Sequence, residues 1–256
     1  MAPLKALRKA VPVQPAAGVA AVSIQGVTKR FGRGPLILDD VSLDVAPGEF
    51  VCLLGASGCG KSTLLNLAAG LDRPTKGDVS VLGNRPALMF QEPALFPWLT
   101  ATQNIELALR LRGVGKAERR AEAGRLLELV RLEGSGPKRP HELSGGMRQR
   151  VALARALAQD SQVLLMDEPF AALDAITRDM LHDELTRVWQ EVGVTIVFVT
   201  HNVREAVRLG QRVVLLSSRP GTVVREWNLA GADDLEQLTE EITGRLRDVI
   251  STHARA

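Results

Sequence analysis

Short apolar runs alternate along the chain with stretches whose apolar positions recur every three or four residues, which predicts strands interleaved with helices. Residues 20–27 and 41–45 alternate apolar and polar, as half-buried strands do, and Pro47-Gly48 marks the turn that follows. Residues 49–54 and 163–166 are continuous apolar runs, the form taken by strands covered on both faces, and 195–200 is rich in β-branched residues. Shorter strands are predicted at 77–82, 87–90 and 212–217. Helical spacing predicts 62–71, a helical stretch over 101–158, then 176–191 and 204–209. Within 117–132, Leu126, Leu127 and Val130 form the apolar stripe. Leu235, Leu238, Ile242, Leu246 and Ile250 recur at helical spacing, so the C-terminal segment reads as an amphipathic helix packed on the body. The fold class that follows is α/β: a mostly parallel sheet with helices on both faces, a small N-terminal antiparallel sheet, and a helical subdomain over about 92–160.

One junction between a strand and a helix has a specific chemistry. Gly55, Ala56, Ser57, Gly58, Cys59, Gly60, Lys61, Ser62 and Thr63 fit the phosphate-loop pattern G-x-x-x-x-G-K-[ST] without a mismatch. Glycines let the backbone curl until its N–H groups face an anion, and the helix that follows adds unsatisfied donors and partial positive charge. Lys61 supplies a full charge for the outer phosphates, and Ser62 offers an oxygen to Mg²⁺. A second junction, Leu143-Ser144-Gly145-Gly146-Met147-Arg148-Gln149-Arg150, opens a helix running to about Ala158, with Ser144 as N-cap and two glycines that admit close backbone approach. Read alone, it is either an ordinary capped helix or another anion site. One nucleotide can use both junctions only from different chains or from distant parts of one chain. The apolar run 163–166 ends in Asp167 and Glu168, placed where ligands sit in parallel sheets. Asp167 can hold a hydrated Mg²⁺, and Glu168 can orient and deprotonate a water.

Composition removes several alternatives. The chain has 256 residues, 45% of them hydrophobic, enough for a sizeable core. Its formal net charge is +3, spread along the chain, so no nucleic-acid footprint is predicted. No apolar run approaches the ~20 residues that cross a bilayer. Residues 1–18, rich in Ala and Pro with Lys5, Arg8 and Lys9, read as a disordered tail without the apolar segment of a secretory signal; weak attraction to a membrane surface is the lesser reading. Of the two cysteines, Cys59 lies inside the phosphate loop, where a disulfide to Cys52 would obstruct the site; a reducing compartment follows.

Together these segments resemble an ATP-binding cassette (ABC) ATPase, the nucleotide-binding subunit of membrane transporters, over roughly residues 19–221. Gly55 to Thr63 matches Walker A, Val163 to Glu168 matches Walker B, and Leu143 to Gln149 matches the signature sequence peculiar to the family. Gln91 matches the Q-loop glutamine, Ala172-Leu173-Asp174 the D-loop, and His201 the switch histidine. The resemblance implies a P-loop NTPase (RecA-like) core in a nucleotide-binding domain over 19–228, with a helical extension over 229–256. It implies ATP and Mg²⁺ as ligands, with Ser62, Gln91 and Asp167 at the metal. Phe31 stands where the family stacks an aromatic on adenine; a core phenylalanine is the alternative reading. Also implied is a head-to-tail dimer, most simply of two copies, in which each ATP touches Lys61 and Ser62 of one chain and Ser144 and Gly146 of the other, with Gly145 and Asp174 nearby. Glu168, His201, Gln91 and Lys61 would be catalytic. The partners would be permease subunits and, through them, a substrate-binding protein, which places the chain on the cytoplasmic face of the membrane.

Residues 94–100 and 218–221 are similar to the branch serving nitrate, sulfonate and taurine importers, as is the run 166–178. In residues 93–100, two prolines and two large aromatics suggest either a docking patch for a permease helix or local packing. The connection between Leu82 and Gln91 is shorter than the family norm. Ala171 precedes the D-loop where glycine or serine is commoner, and Asn202 replaces the usual aspartate after His201. DNA-repair, chromosome-maintenance and translation-associated ABC ATPases are the competing readings. Those usually carry a long coiled-coil or zinc insertion, or a second cassette, and neither is seen in this sequence.

Overall fold

The computed structural model describes residues 19–83, 85–232 and 234–253; the tail expected over 1–18 lies outside them. A six-stranded sheet forms the centre. It comprises β3 (Phe50–Leu54), β5 (Ala87–Met89), β6 (Val163–Asp167), β7 (Thr195–Thr200), β8 (Arg212–Leu216) and β9 (Val223–Asn228), in the order β5-β6-β7-β3-β8-β9. All neighbours are parallel except β8 and β9. A separate antiparallel sheet has the order β2-β1-β4, from β1 (Val22–Arg30), β2 (Leu36–Val45) and β4 (Lys76–Val81). Helices α1 (Lys61–Ala68), α2 (Ala101–Leu111), α3 (Lys116–Leu129), α4 (Gly145–Leu157), α5 (Ala175–Val192), α6 (Val203–Leu209) and α7 (Leu235–His253) complete the domain.

Strand alternation divides the interior into two cores. Phe50, Cys52 and Leu54 of β3 join Leu164, Met166, Ile196 and Phe198 against helices α2 to α7. Val51 and Leu53 join Leu165, Val197, Val199 and Val214 on the opposite face, against α1 and the antiparallel sheet. Both faces of the parallel strands are covered, which is why β3 and β7 are buried at every position, β3 reading as a continuous apolar run and β7 as an apolar, β-branched one bounded by two threonines. A large apolar side chain fully buried here contributes about 1.5–3 kcal/mol.

The differences from the sequence reading have local causes. Strand β9 was not anticipated: its sequence VVREWN carries charges because it lies at the sheet edge, with only Trp227 buried. The predicted helical stretch 101–158 is three α-helices and a short 3-10 turn (Pro140–Glu142), broken where Gly113 (φ 83) and Arg131 (φ 53) take left-handed backbone. Strand β2 begins at Leu36, earlier than residue 41.

Register is what builds the site. Leu54 of β3 pairs with Thr200 of β7, and Asp167 of β6 pairs with Val199. The C-terminal ends of three parallel strands are therefore level, and Gly55, Glu168 and His201 leave the sheet side by side.

Candidate active site

The loop between β3 and α1 is pre-curled. Gly58 (φ 78) and Gly60 (φ 104) adopt left-handed backbone, and a Cβ at Gly60 would lie 2.6 Å from Leu38 Cδ2. Cys59 packs inward, 1% exposed, and burial pushes its thiol upward from the ordinary range; Cys52 and Cys59 are both free. Helix α1 starts at Gly60 with no side-chain cap. The sequence leaves these first donors without a protein side-chain partner, as an anion site requires. By contrast, Ser144 caps α4 (Met147 N–H, 3.3 Å), Asp174 caps α5 (Thr177 N–H, 2.9 Å) and Asn202 caps α6 (Arg204 N–H, 3.0 Å). Asparagine after His201 thus keeps the capping oxygen that aspartate would supply.

Lys61 is buried, and its ammonium donates to the carbonyls of Gly55 (2.8 Å) and Ala56 (3.0 Å). It also lies 3.8 Å from Glu168 Oε1. The other Glu168 oxygen is 2.8 Å from His201 Nδ1. Glu168 takes a left-handed backbone (φ 44) with its N–H donated to Val199 O at 3.0 Å. Such strain in a non-glycine residue persists where surrounding structure over-determines it, commonly at functional sites. Next to it, Ser62 donates to Asp167 Oδ1 at 3.0 Å. Two hard oxygens from different elements meet there, a donor set suited to Mg²⁺ that completes its shell with phosphates and water. Among the described residues no cluster of three or more His, Cys, Asp or Glu could hold a metal.

Gln91 lies just beyond β5, beside the end of β6, with an exposed side chain. Its carbonyl accepts from Gln149 Nε2 of α4 at 2.9 Å. Arg155, also on α4, donates to Pro93 O (2.8 Å) and Ala94 O (2.7 Å). The signature helix therefore grips Gln91 and the segment after it, a link with no signal in the amino-acid pattern. Within the chain, Gly145 and Gly146 abut Leu173 and Thr177, at the D-loop and the start of α5. Phe31 is 54% exposed, which removes the core reading, and Lys29 Nζ sits 4.7 Å from its ring centroid.

Walker-type and signature junctions thus sit on one α/β scaffold. A sequence model of the family described as ABC transporter matches residues 38–171. The chain belongs to the ABC transporter family. The nitrate import ATP-binding protein NrtD of Synechocystis sp. is 48% identical in an alignment covering 79% of this chain and 80% of NrtD. The taurine import ATP-binding protein TauB of Mesorhizobium japonicum is 52% identical, covering 76% of this chain and 78% of TauB. The dimeric ATP-binding cassette MJ0796 bound to ADP and Pi is similar with a TM-score of 0.71 and 36% identity, covering 82% of this chain and all of that one. This chain is an ATP-hydrolysing ABC cassette.

Burial pushes the Asp167 carboxyl of this cassette above the ordinary aspartate range; the Ser62 hydroxyl opposes this, Glu168 adds to it, and Lys61 opposes it. With the folded pKa above the unfolded one, the folded chain holds a proton that the unfolded chain has shed. Stability therefore falls as pH rises from the ordinary aspartate range through the raised value. Asp167→Asn is expected to raise the melting temperature of the nucleotide-free cassette by a few degrees at most at about pH 7.5. The gain should shrink toward about pH 4. Calorimetry at both pH values checks this, and a lower midpoint at the higher pH contradicts it.

Proposed function

We propose that this cassette powers import of a small anionic solute of the nitrate, sulfonate or taurine type through a separate permease. The observation that carries the reading is the pair of import ATP-binding relatives, each close to half identical across more than three quarters of the chain. Uptake of labelled taurine, a sulfonate or nitrate by proteoliposomes holding this chain, its permease and the binding protein tests it. ATP-driven uptake of one such anion supports the reading, whereas uptake confined to unrelated solutes overturns it.

The reaction follows from the cluster. Phosphoryl transfer to water passes through a loose transition state, so catalysis is mostly positioning and charge stabilisation. ATP lies with its phosphates over the Gly55–Thr63 loop and its adenine on Phe31. Lys61 turns from the Gly55 and Ala56 carbonyls to the outer phosphates. Ser62, Asp167 and Gln91 would hold Mg²⁺, which would supply positive charge to the phosphate oxygens. Glu168, held between Lys61 and His201, orients the water and accepts its proton, while His201 keeps the γ-phosphate and Glu168 aligned. A second copy supplies Ser144, Gly145 and Gly146 to the same phosphates, with Asp174 beside them. Neither copy alone surrounds the γ-phosphate, so ATP joins the two and hydrolysis releases them.

No helix among the described residues is long and apolar enough to cross a membrane, and the membrane contact is assigned to a groove on the helical subdomain. Phe96, Trp98, Leu99 and Leu107 line a groove of about 440 Å³ with Gln103, Glu106, Arg110 and Arg119. Trp98 is 67% exposed, its ring 5.5 Å from that of Phe96, so local packing does not account for it. The loop is pinned from below: the fully buried Asn104 amide accepts from Phe96 N–H (2.8 Å) and donates to the carbonyls of Phe96, Leu99 and Thr100. A short cytoplasmic helix of the permease fits this groove, and Gln149 and Arg155 tie it to the nucleotide site. Trp98→Ala is expected to weaken permease association by about 2 kcal/mol or more, as an exposed aromatic anchor does, and to leave ATP affinity unchanged. Co-purification and titration measure both, and intact assembly would return Trp98 to a structural role.

A further inference from the structure

A buried polar relay lies behind His201, and none of the roles above uses it. His182 on α5 is 3% exposed and places Nε2 2.7 Å from Glu205 Oε1 on α6. A carboxylate only accepts, so the imidazole carries its proton there. The other Glu205 oxygen accepts from the Thr200 hydroxyl, which in turn accepts from Asn202 N–H at 3.0 Å. Thr200 and Asn202 flank His201, so the relay grips the backbone on both sides of it. Packing does not fix this residue: His201 has a 55% exposed side chain and borders a cavity of about 30 Å³ shared with Glu168, Arg178 and Glu205. Hydrogen bonds must hold it instead.

The same helix holds the other half of the pair. Phe170, two residues beyond Glu168, packs its ring at a tilt against His182, with ring centroids 5.6 Å apart. Arg178, one turn before His182, donates to Phe170 O (3.3 Å) and Leu173 O (2.7 Å). Helix α5 therefore touches the segment from Glu168 to Asp174 directly and the segment around His201 through Glu205 and Thr200. Stability alone does not favour the arrangement. His182 Nδ1 is buried without a hydrogen bond, 3.8 Å from Asp179 Oδ1, a defect that an apolar side chain would not carry.

We propose that His182, acting through Glu205 and Thr200, is a positioning residue that sets His201 against Glu168 and ties that pair to the D-loop helix. The proposal rests on the roles given above to Glu168 and His201. The test is ATP turnover by the full chain, with kcat and KM separated and melting temperature recorded. The variants are His182→Ala, His182→Gln, Thr200→Val and the Ala/Val double variant, with Glu168→Gln in parallel. His182→Ala and Thr200→Val are each expected to lower kcat about tenfold with KM for ATP within about twofold, the pattern of a lost transition-state alignment. The double variant should cost little more than either single one, because members of one relay are not additive. His182→Gln, whose amide donates to Glu205, should recover kcat to within about threefold.

Unchanged kcat in the single variants, multiplicative losses, or losses in kcat, KM and melting temperature that glutamine does not rescue would each overturn the proposal. Should His182→Ala fail to fold, Thr200→Val, nearly isosteric, and His182→Gln carry the test. If Glu168→Gln hydrolyses ATP normally, the reading of the site itself fails. If it is inactive while the relay variants behave as wild type, only the relay falls.

Discussion

Glu168→Gln is expected to bind ATP within about threefold of wild type and to lose ~10²–10³ in turnover, the usual cost of removing one charge-stabilising or proton-accepting group. The substitution keeps the size of the side chain. Glutamine retains an oxygen that can accept from His201, now 2.8 Å away, and it removes only the negative charge beside Lys61. ATP affinity should therefore hold or rise slightly, since a carboxylate no longer faces the γ-phosphate. Without the charge, position 168 no longer takes the proton from water, and the neighbouring carboxylate, Asp167, is engaged by Ser62 rather than by His201. Single-turnover hydrolysis and equilibrium binding of a fluorescent ATP analogue separate the two effects. Near-normal turnover by the folded variant would remove Glu168 from its assigned role.

Lys61→Ala should act on the other quantity. Its ammonium is almost wholly buried beneath the phosphate loop, held by two carbonyls of the loop itself. It can turn to phosphate oxygens by exchanging one set of hydrogen bonds for a charge-assisted set, worth about 1.5–3 kcal/mol each in such settings. Loss of that group is expected to weaken ATP binding by about 10²-fold, with turnover falling beyond detection at ordinary ATP concentrations. Calorimetric titration measures it, and unchanged affinity would contradict the phosphate-loop reading. Alanine also leaves the Gly55 and Ala56 carbonyls without this donor, so the melting temperature of the nucleotide-free variant should be recorded to separate lost affinity from lost folding.

Legibility differed from one group of residues to another for physical reasons. Strands β3, β6 and β7 were plain in the sequence because both of their faces are covered, so their central positions are apolar and polar residues fall only at their ends. Edge strand β9 was not, because an edge with only one buried side chain leaves no apolar pattern. Phosphate-loop chemistry is local: glycines, lysine and serine stand within nine consecutive residues, and the backbone conformations they need are those only glycine adopts cheaply. Ser144 was likewise readable as a cap, since a cap acts within one turn, whereas the capping by Asp174 and Asn202 emerged only from the structure.

The relay of His182, Glu205 and Thr200 had no such signature. Each residue is unremarkable in its own segment, and a buried histidine on a helix looks like any amphipathic position. The grip of Gln149 and Arg155 on residues 91–94 was equally silent, being made by side chains reaching backbone carbonyls about sixty positions away.

The sequence by itself determined the type of chemistry and the order of its parts, because helix starts, glycine turns and strand-end acids act through neighbours in the chain. Only the tertiary structure decided their distances. The parallel register that levels Leu54, Asp167 and Thr200 is what brings Lys61, Glu168 and His201 within a few ångströms of one another. That register is set by packing two cores against opposite faces of one sheet, a non-local condition that no single segment carries.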